Sequence, residues 1–302
     1  MTDAPRTGIY PRQTLTEGEI AEIRVLADAC LQRDELDLRL LWEVLQSRSG
    51  ETANDFLHYV DGELVGFLTI EGVGDEDAEA TGMVHPAHRR RGVFGALVEA
   101  AKSECRRNAT PAIVFYCDRR SQPAKAFLES IGATYQFSEH KMRLDTPGAA
   151  EAPATELSIT RAGPEDAADI AAVLAEDMGL QATGFAQHIA DNMRRPTYTY
   201  YIARLGETAV GTANLQILDQ RPYIYGFVVR PEYRGRGYGR QILAHMIAGI
   251  SAAQPEPVFL EVEQDNTPAL GLYRSFGFEA VATFDYYRVN ISESADNADS
   301  RG

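Results

Sequence analysis

Shifted against itself by 145 positions, the 302-residue chain matches its own second half without a gap. VHPAHRRRG (84–92) falls on VRPEYRGRG (229–237), and QPAKAFLESIG (122–132) falls on TPALGLYRSFG (267–277). Val84, Pro86, Arg89, Arg91 and Gly92 meet identical residues, as do Pro123, Ala124, Ser130 and Gly132. An unbroken register across an arginine–glycine stretch, a helix, a strand and a second helix means two copies of one arrangement. The length suits two domains of roughly 100–200 residues each. TPGAAEAPATE (146–156), rich in Pro, Ala and Gly and without apolar periodicity, reads as the join. The expected organisation is a first copy at 1–146, a linker at 147–156, a second copy at 157–290 and a polar, flexible tail at 291–302.

Within the second copy, LSIT opens a strand, and PEDAADIAAVLAEDMG is a helix whose Pro164 and acidic residues suit a first turn. FAQHIADNMRR is a second short helix. TYTYYIARLGE and TAVGTANLQIL are strands meeting at a Gly-Glu turn, and YIYGFVV is a third strand. An amphipathic helix at 238–250, the strand PVFLEVE, the helix PALGLYRSFG and the strand FDYYRVN follow. In the first copy, helices at 14–33 and 36–48 precede strands near 55–60 and 63–71, after which the order repeats. The fold class is therefore α/β in the α+β sense.

Composition narrows the partners. A net charge of −15 repels polyanions, which argues against nucleic acid or an anionic membrane as the main partner. No apolar run approaches the ~18–20 residues of a membrane span, and the opening MTDAPRTGIYPR is no signal peptide, so a cytoplasmic location is expected. Cys30, Cys105 and Cys117 share no metal-ligand spacing, so neither disulfide nor metal is expected.

Against that acidic background, Arg221, Arg230, Arg234, Arg236 and Arg240 form a positive island, interleaved with Gly235, Gly237 and Gly239. A strand, alternating glycines and then a helix start bring backbone N–H groups together. Glycines let an anion approach, and the helix N-terminus adds partial positive charge, so a phosphate or pyrophosphate is the fitting occupant. The spacing GxGxG is neither the GxGxxG of dinucleotide folds nor a GxxxxGK phosphate loop.

V-x-P-x-x-R-x-x-G-x-G (229–239) followed by N-x-x-A-x-x-x-Y-x-x-x-G-F (266–278) resembles the GNAT superfamily of acetyl-CoA-dependent N-acetyltransferases. The tandem layout is similar to that of mycothiol synthase and related double-GNAT proteins. The resemblance implies two tandem GNAT-type domains, each a mixed, mainly antiparallel sheet flanked by helices, with acetyl-CoA as cosubstrate. It assigns the pyrophosphate to the loop amides from Arg234 through Gly235, Arg236, Gly237, Tyr238 and Gly239 to Arg240. It assigns the pantetheine arm to Phe227, Val228 and Val229 on a splayed strand, with Asn266 beside it, although Asn266 also reads as a helix N-cap.

Amide formation from an amine and a thioester needs a base for the amine and an acid for the departing thiolate. Tyr273 matches the family's acid, on a helix where Leu270, Tyr273 and Phe276 also have the spacing of a buried face. Glu261, twelve residues earlier on FLEVEQDN, resembles the base of ribosomal-protein alanine N-acetyltransferases. The carboxylate that mycothiol synthase carries on the preceding strand is absent from YIYGFVV. In the first copy Tyr116, Leu128, Ser121 and Phe94 stand where the second has Glu261, Tyr273, Asn266 and Gly239. The expectation is an N-acetyltransferase acting on an amine-bearing small molecule or a peptide N-terminus, with chemistry in the second copy and a degenerate first copy. The competing expectation is a non-catalytic acyl-CoA-binding sensor or scaffold.

Overall fold

The computed structural model describes residues 5–145, 156–178, 185–253 and 257–291. The join and the tail fall almost entirely outside them. The chain runs β1 (Gly8–Arg12), α1 (Glu17–Asp34), α2 (Trp42–Gln46), β2 (Asp55–Val60), β3 (Glu63–Glu71), β4 (Asp77–Val84), α3 (Val93–Arg107), β5 (Ala112–Asp118), α4 (Gln122–Ser130) and β6 (Thr134–Leu144). It continues β7 (Ser158–Arg161), α5 (Ala167–Met178), α6 (Phe185–Asn192), β8 (Tyr198–Leu205), β9 (Thr208–Leu218), β10 (Arg221–Val229), α7 (Tyr238–Ala253), β11 (Val258–Glu263), α8 (Thr267–Ser275) and β12 (Glu279–Asn290).

Two compact units result, one of residues 1–138 with 282–302 and the other of 139–281. In the first unit the sheet order is β1-β2-β3-β4-β5-β12, and in the second it is β6-β11-β10-β9-β8-β7. Within each unit, among the described residues, the parallel pairs are β4 with β5 and β10 with β11, so each sheet is mixed and mainly antiparallel. Each unit takes its sixth strand from the other sequence copy. β12 pairs with β5 through Tyr286↔Tyr116, and β6 pairs with β11 through Lys141↔Glu261. The compact units and the sequence copies therefore divide the chain differently. A strand's alternation fixes which residues face inward, whereas its pairing partner is a long-range choice.

Helices cover both faces of each sheet. In the second unit α7 and α8 bury Ile242, Met246, Leu270 and Tyr273 against Ile224, Val258 and Leu260. The other face packs Ile170, Leu174 and Ile189 of α5 and α6 against Tyr200 and Ile202. In the first unit α3 supplies Leu97, Val98 and Ala101 to one face, and α1 supplies Ile23 and Leu26 to the other. Each fully buried aliphatic side chain contributes roughly 1.5–3 kcal/mol.

Two local readings change. The helix expected at 36–48 is helical only over Trp42–Gln46. Asp37 accepts from the Arg39 amide at 2.9 Å, and Arg39 takes φ 47°, a side-chain-to-backbone turn that competes with the helix. GIYPR forms the edge strand β1, where Pro11 leaves no unmet ladder bond. Among the described residues, no helix is long and apolar enough to cross a membrane.

Candidate active site

Strands β10 and β11 pair only at Tyr223↔Phe259 and Ile224↔Leu260, after which β10 runs on to Val229 without a β11 partner. On its other side β10 skips from Tyr225↔Asn214 to Val228↔Thr212, a bulge that Gly226 makes possible at φ 54°. The parallel strands thus form a fork. Phe227, Val228 and Val229 lie on its open arm, where alternate backbone groups face away from β9 and are available to an added, strand-like ligand.

The fork leads into the arginine–glycine loop. Pro231–Tyr233 form one 3-10 turn, then Gly235 (φ 77°) and Gly237 (φ 80°) take left-handed backbone, and α7 begins at Tyr238. The Arg234 amide, expected in the cradle, donates instead to the Pro231 carbonyl at 3.2 Å, whereas the amides of residues 235–240 make no hydrogen bond among the described residues. They form an unengaged row at the positive end of a helix, an anion cradle by construction. The arginine side chains are used differently. Arg234 donates from Nε to the Val229 carbonyl at 2.9 Å and pairs with Asp177. Arg236 donates to the Glu232 carbonyl at 3.1 Å, and Arg240 donates to Ser275 Oγ at 2.8 Å. These guanidinium groups brace the loop, leaving the main chain to meet a ligand. Tyr238 is buried, and its hydroxyl donates to Glu156 at 2.6 Å. An added Cβ on Gly239 would meet Leu272, Phe227 and Val229 at ordinary contact distances of 3.5–3.9 Å.

Tyr273 on α8 is buried, with ring centroids 6.1 Å from Phe227 and 6.0 Å from Phe278. Phe227, Gly239 and Tyr273 are thus brought together at one wall of the fork. Burial pushes the Tyr273 hydroxyl well above the usual phenol range, so it keeps its proton at neutral pH. That hydroxyl makes no hydrogen bond among the described residues. Glu261 stands one residue past the last β10–β11 pair, half-buried. Leu260 and Val262 point into the cluster that holds Tyr273, so Glu261 projects from the opposite face of β11. Asn266 caps α8, accepting from the Ala269 amide at 3.2 Å.

Residues 20–133 and 169–278 both match the acetyltransferase (GNAT) family. The chain belongs to that family. The mycothiol acetyltransferase of Mycolicibacterium smegmatis is 28% identical over 92% of this chain and 98% of its own length. The N-alpha-acetyltransferase RimI of Mycobacterium tuberculosis is 35% identical over 47% of this chain and 89% of its own length. A GCN5-related N-acetyltransferase from Sphaerobacter thermophilus superposes with a TM-score of 0.79 at 20% identity, over 94% of this chain and 96% of that one. This tandem GNAT protein is an acyltransferase.

On the face of the sheet that carries Glu261, this GNAT copy presents a tyrosine wall. Tyr198 and Tyr200 on β8 meet the Tyr225 ring at centroid distances of 6.3 and 6.1 Å, and Tyr223 stacks on Phe259 at 5.1 Å. Burial, with the Tyr200 hydroxyl beside it, raises the Tyr225 pKa, and the Tyr225 hydroxyl lacks a well-formed hydrogen bond among the described residues. The signal is legible as Tyr-x-Tyr at both 198–200 and 223–225, two pairs at strand spacing on one face.

The first GNAT copy repeats the backbone without the proton carriers. Its fork opens after Ala80↔Phe115, and Tyr116 occupies the position beyond. Arg90 (φ 61°) and Gly92 (φ 79°) reproduce the left-handed pair, and Arg89 donates to the Val84 carbonyl at 3.1 Å while pairing with Asp34. Leu128 is buried where the second copy has Tyr273. A cavity of about 670 Å³ fills this fork, lined by Thr81, Val84, Arg90, Phe94, Tyr116 and Arg120 among others. Phe94 sits edge-on to Phe127 at 5.0 Å. Because a non-glycine residue pays roughly 1–2 kcal/mol in left-handed backbone and glycine loses ~0.5–1 kcal/mol of that advantage to unfolded-state entropy, Arg90→Gly should stabilise the protein by about 0.5–1 kcal/mol. Urea unfolding measures this. A loss of stability would mean that the Arg90 side chain makes contacts outweighing its backbone strain.

Proposed function

We propose that the second GNAT copy transfers an acetyl group from acetyl-CoA to a primary amine. The observation that carries this reading is the fork itself, with unengaged loop amides at its mouth and Tyr273 and Glu261 on opposite faces of the strand at its apex. The main-chain nitrogens of residues 235–240 hold the diphosphate, and the open edge of Phe227, Val228 and Val229 pairs with the pantetheine amides. Glu261 accepts the proton that the ammonium of the acceptor must lose, and Tyr273 delivers its own to the sulfur that leaves. Asn266 acts through α8 as its cap, which sets the height at which Tyr273 enters the fork.

On the acceptor side, the tyrosine wall suits an amine-bearing small molecule with further hydroxyl or amide groups, or a short peptide N-terminus. The first copy, with Tyr116 and Leu128 at the chemical positions, serves as a binding or shaping module beside this chemistry.

The test uses the full chain, because β11 pairs with a strand from the first sequence copy and a fragment of 157–290 would lack it. Incubation with acetyl-CoA and a panel of small amines and free-N-terminus peptides should release CoA thiol in step with acetylated amine. Thermal stabilisation by acetyl-CoA with no thiol released for any amine would favour the non-catalytic acyl-CoA-binding reading instead.

A further inference from the structure

The motif VHPAHRRRG differs from VRPEYRGRG at four positions, and two of the changes introduce imidazoles, His85 for Arg230 and His88 for Tyr233. Arg230 has a mechanical task in the second unit. It donates from Nε to the Ala209 carbonyl at 2.8 Å and pairs with Glu176, tying the loop entrance to the start of β9. In the first unit the position matching Ala209 is Leu64, and the residue before it is Glu63, at the start of β3. Ligand atoms of Glu63, His85 and His88 all lie within 4.8 Å of one another.

Backbone bonds hold these side chains in place. The His85 amide donates to the Val65 carbonyl at 2.8 Å, and the His88 amide donates to the His85 carbonyl at 2.8 Å, closing the turn that sets the two rings 5.8 Å apart. His58 on β2 lies within electrostatic reach of His88, and its Nδ1 is buried without a hydrogen bond among the described residues. Two imidazoles and a carboxylate are a ligand set for a borderline divalent metal, and exposure of Glu63 leaves room for water to complete the shell.

We propose that Glu63, His85 and His88 bind one zinc ion, which ties the loop entrance of the first unit to the start of β3. Zinc bonds of about 2.0–2.2 Å place tetrahedral ligand atoms roughly 3.3–3.6 Å apart, so, from separations within 4.8 Å, no edge of the present triangle has to close by more than about 1.5 Å. Ligation ends the contact in which His85 Nδ1 accepts from the Ala87 amide, whichever ring nitrogen binds. At 3.3 Å that contact is long and its loss is small. The metal does by coordination what Arg230 does by hydrogen bonding in the other copy. Because His88 also lines the cavity of the first fork and Arg89 follows it, zinc steadies the rim of that cavity. The cysteines play no part in this site, so their lack of ligand spacing does not bear on it.

The experiment is isothermal titration of ZnCl2 into the tag-free full chain after treatment with EDTA, together with thermal unfolding. One equivalent should bind, and the unfolding midpoint should rise with zinc concentration. Loss of an outer-shell partner alone weakens metal sites ~10–100-fold, so removal of a direct ligand in His88→Gln or Glu63→Gln should weaken binding at least about tenfold. His245→Gln in the second unit should bind as wild type does. All three side chains are at least partly exposed, so each variant should match the wild-type midpoint in EDTA. Absence of binding, or binding that survives in the His85→Gln/His88→Gln double variant, overturns the proposal.

Discussion

Tyr273→Phe should lower kcat by about 10²-fold, the lower part of the 10²–10⁴-fold range for a positioned general acid, while the acetyl-CoA dissociation constant stays within about twofold. The expectation rests on a hydroxyl that burial keeps protonated and that makes no hydrogen bond among the described residues. A phenol proton is therefore available to the departing sulfur. Without it the thiolate leaves unprotonated or takes its proton from water. The ring contacts with Phe227 and Phe278 survive the change, and no hydrogen bond is lost from the fold. Stability should move by no more than about 0.5 kcal/mol, which separates chemistry from folding. Steady-state kinetics read kcat, and calorimetric titration of acetyl-CoA in the absence of amine reads the dissociation constant. Equal turnover by variant and wild type would remove Tyr273 from the mechanism, and a large rise in the dissociation constant would make it a binding residue instead.

The parts of this site legible in the sequence are those whose physics is local. Left-handed backbone needs glycine, so Gly235 and Gly237 announce the loop, and a helix start after a strand announces its amides. The repeat at 145 positions carries that reading into the first copy, where Arg90 holds the same conformation without the glycine. Charge was less direct. Five arginines read as a positive island, yet Arg230, Arg234, Arg236 and Arg240 turn out to be bonded to carbonyls, carboxylates and a serine of their own unit. The exchange of β6 and β12 between the copies left no local trace, because both segments alternate properly as strands and nothing in that alternation names the neighbour. Tyr225 is legible only in part for a related reason: with its neighbouring tyrosines it hints at an amine-bearing acceptor, a hint that β-propensity weakens. A strand tyrosine is ordinary, and only three-dimensional packing shows that its hydroxyl is buried without a well-formed bond.

The same separation of local from long-range effects bears on Glu261. Its strand position follows from alternation, but its place one residue beyond the last β10–β11 pair gives it a function to test. Glu261→Gln should slow acetylation by about 10²-fold near neutral pH, within the range for loss of a positioned base. The sign of the pH dependence follows from the acceptor. Below the pKa of the amine, each unit of pH raises the free-amine fraction tenfold, and the variant can use only amine that is already neutral. The wild type gains less, because Glu261 relieves the ammonium of its proton at the site. The ratio of wild-type to variant kcat/KM should therefore shrink as pH rises and approach a small constant above the amine pKa. Profiles measured at saturating acetyl-CoA test this directly. A ratio that stays flat across that range would assign Glu261 to positioning the acceptor rather than to proton transfer.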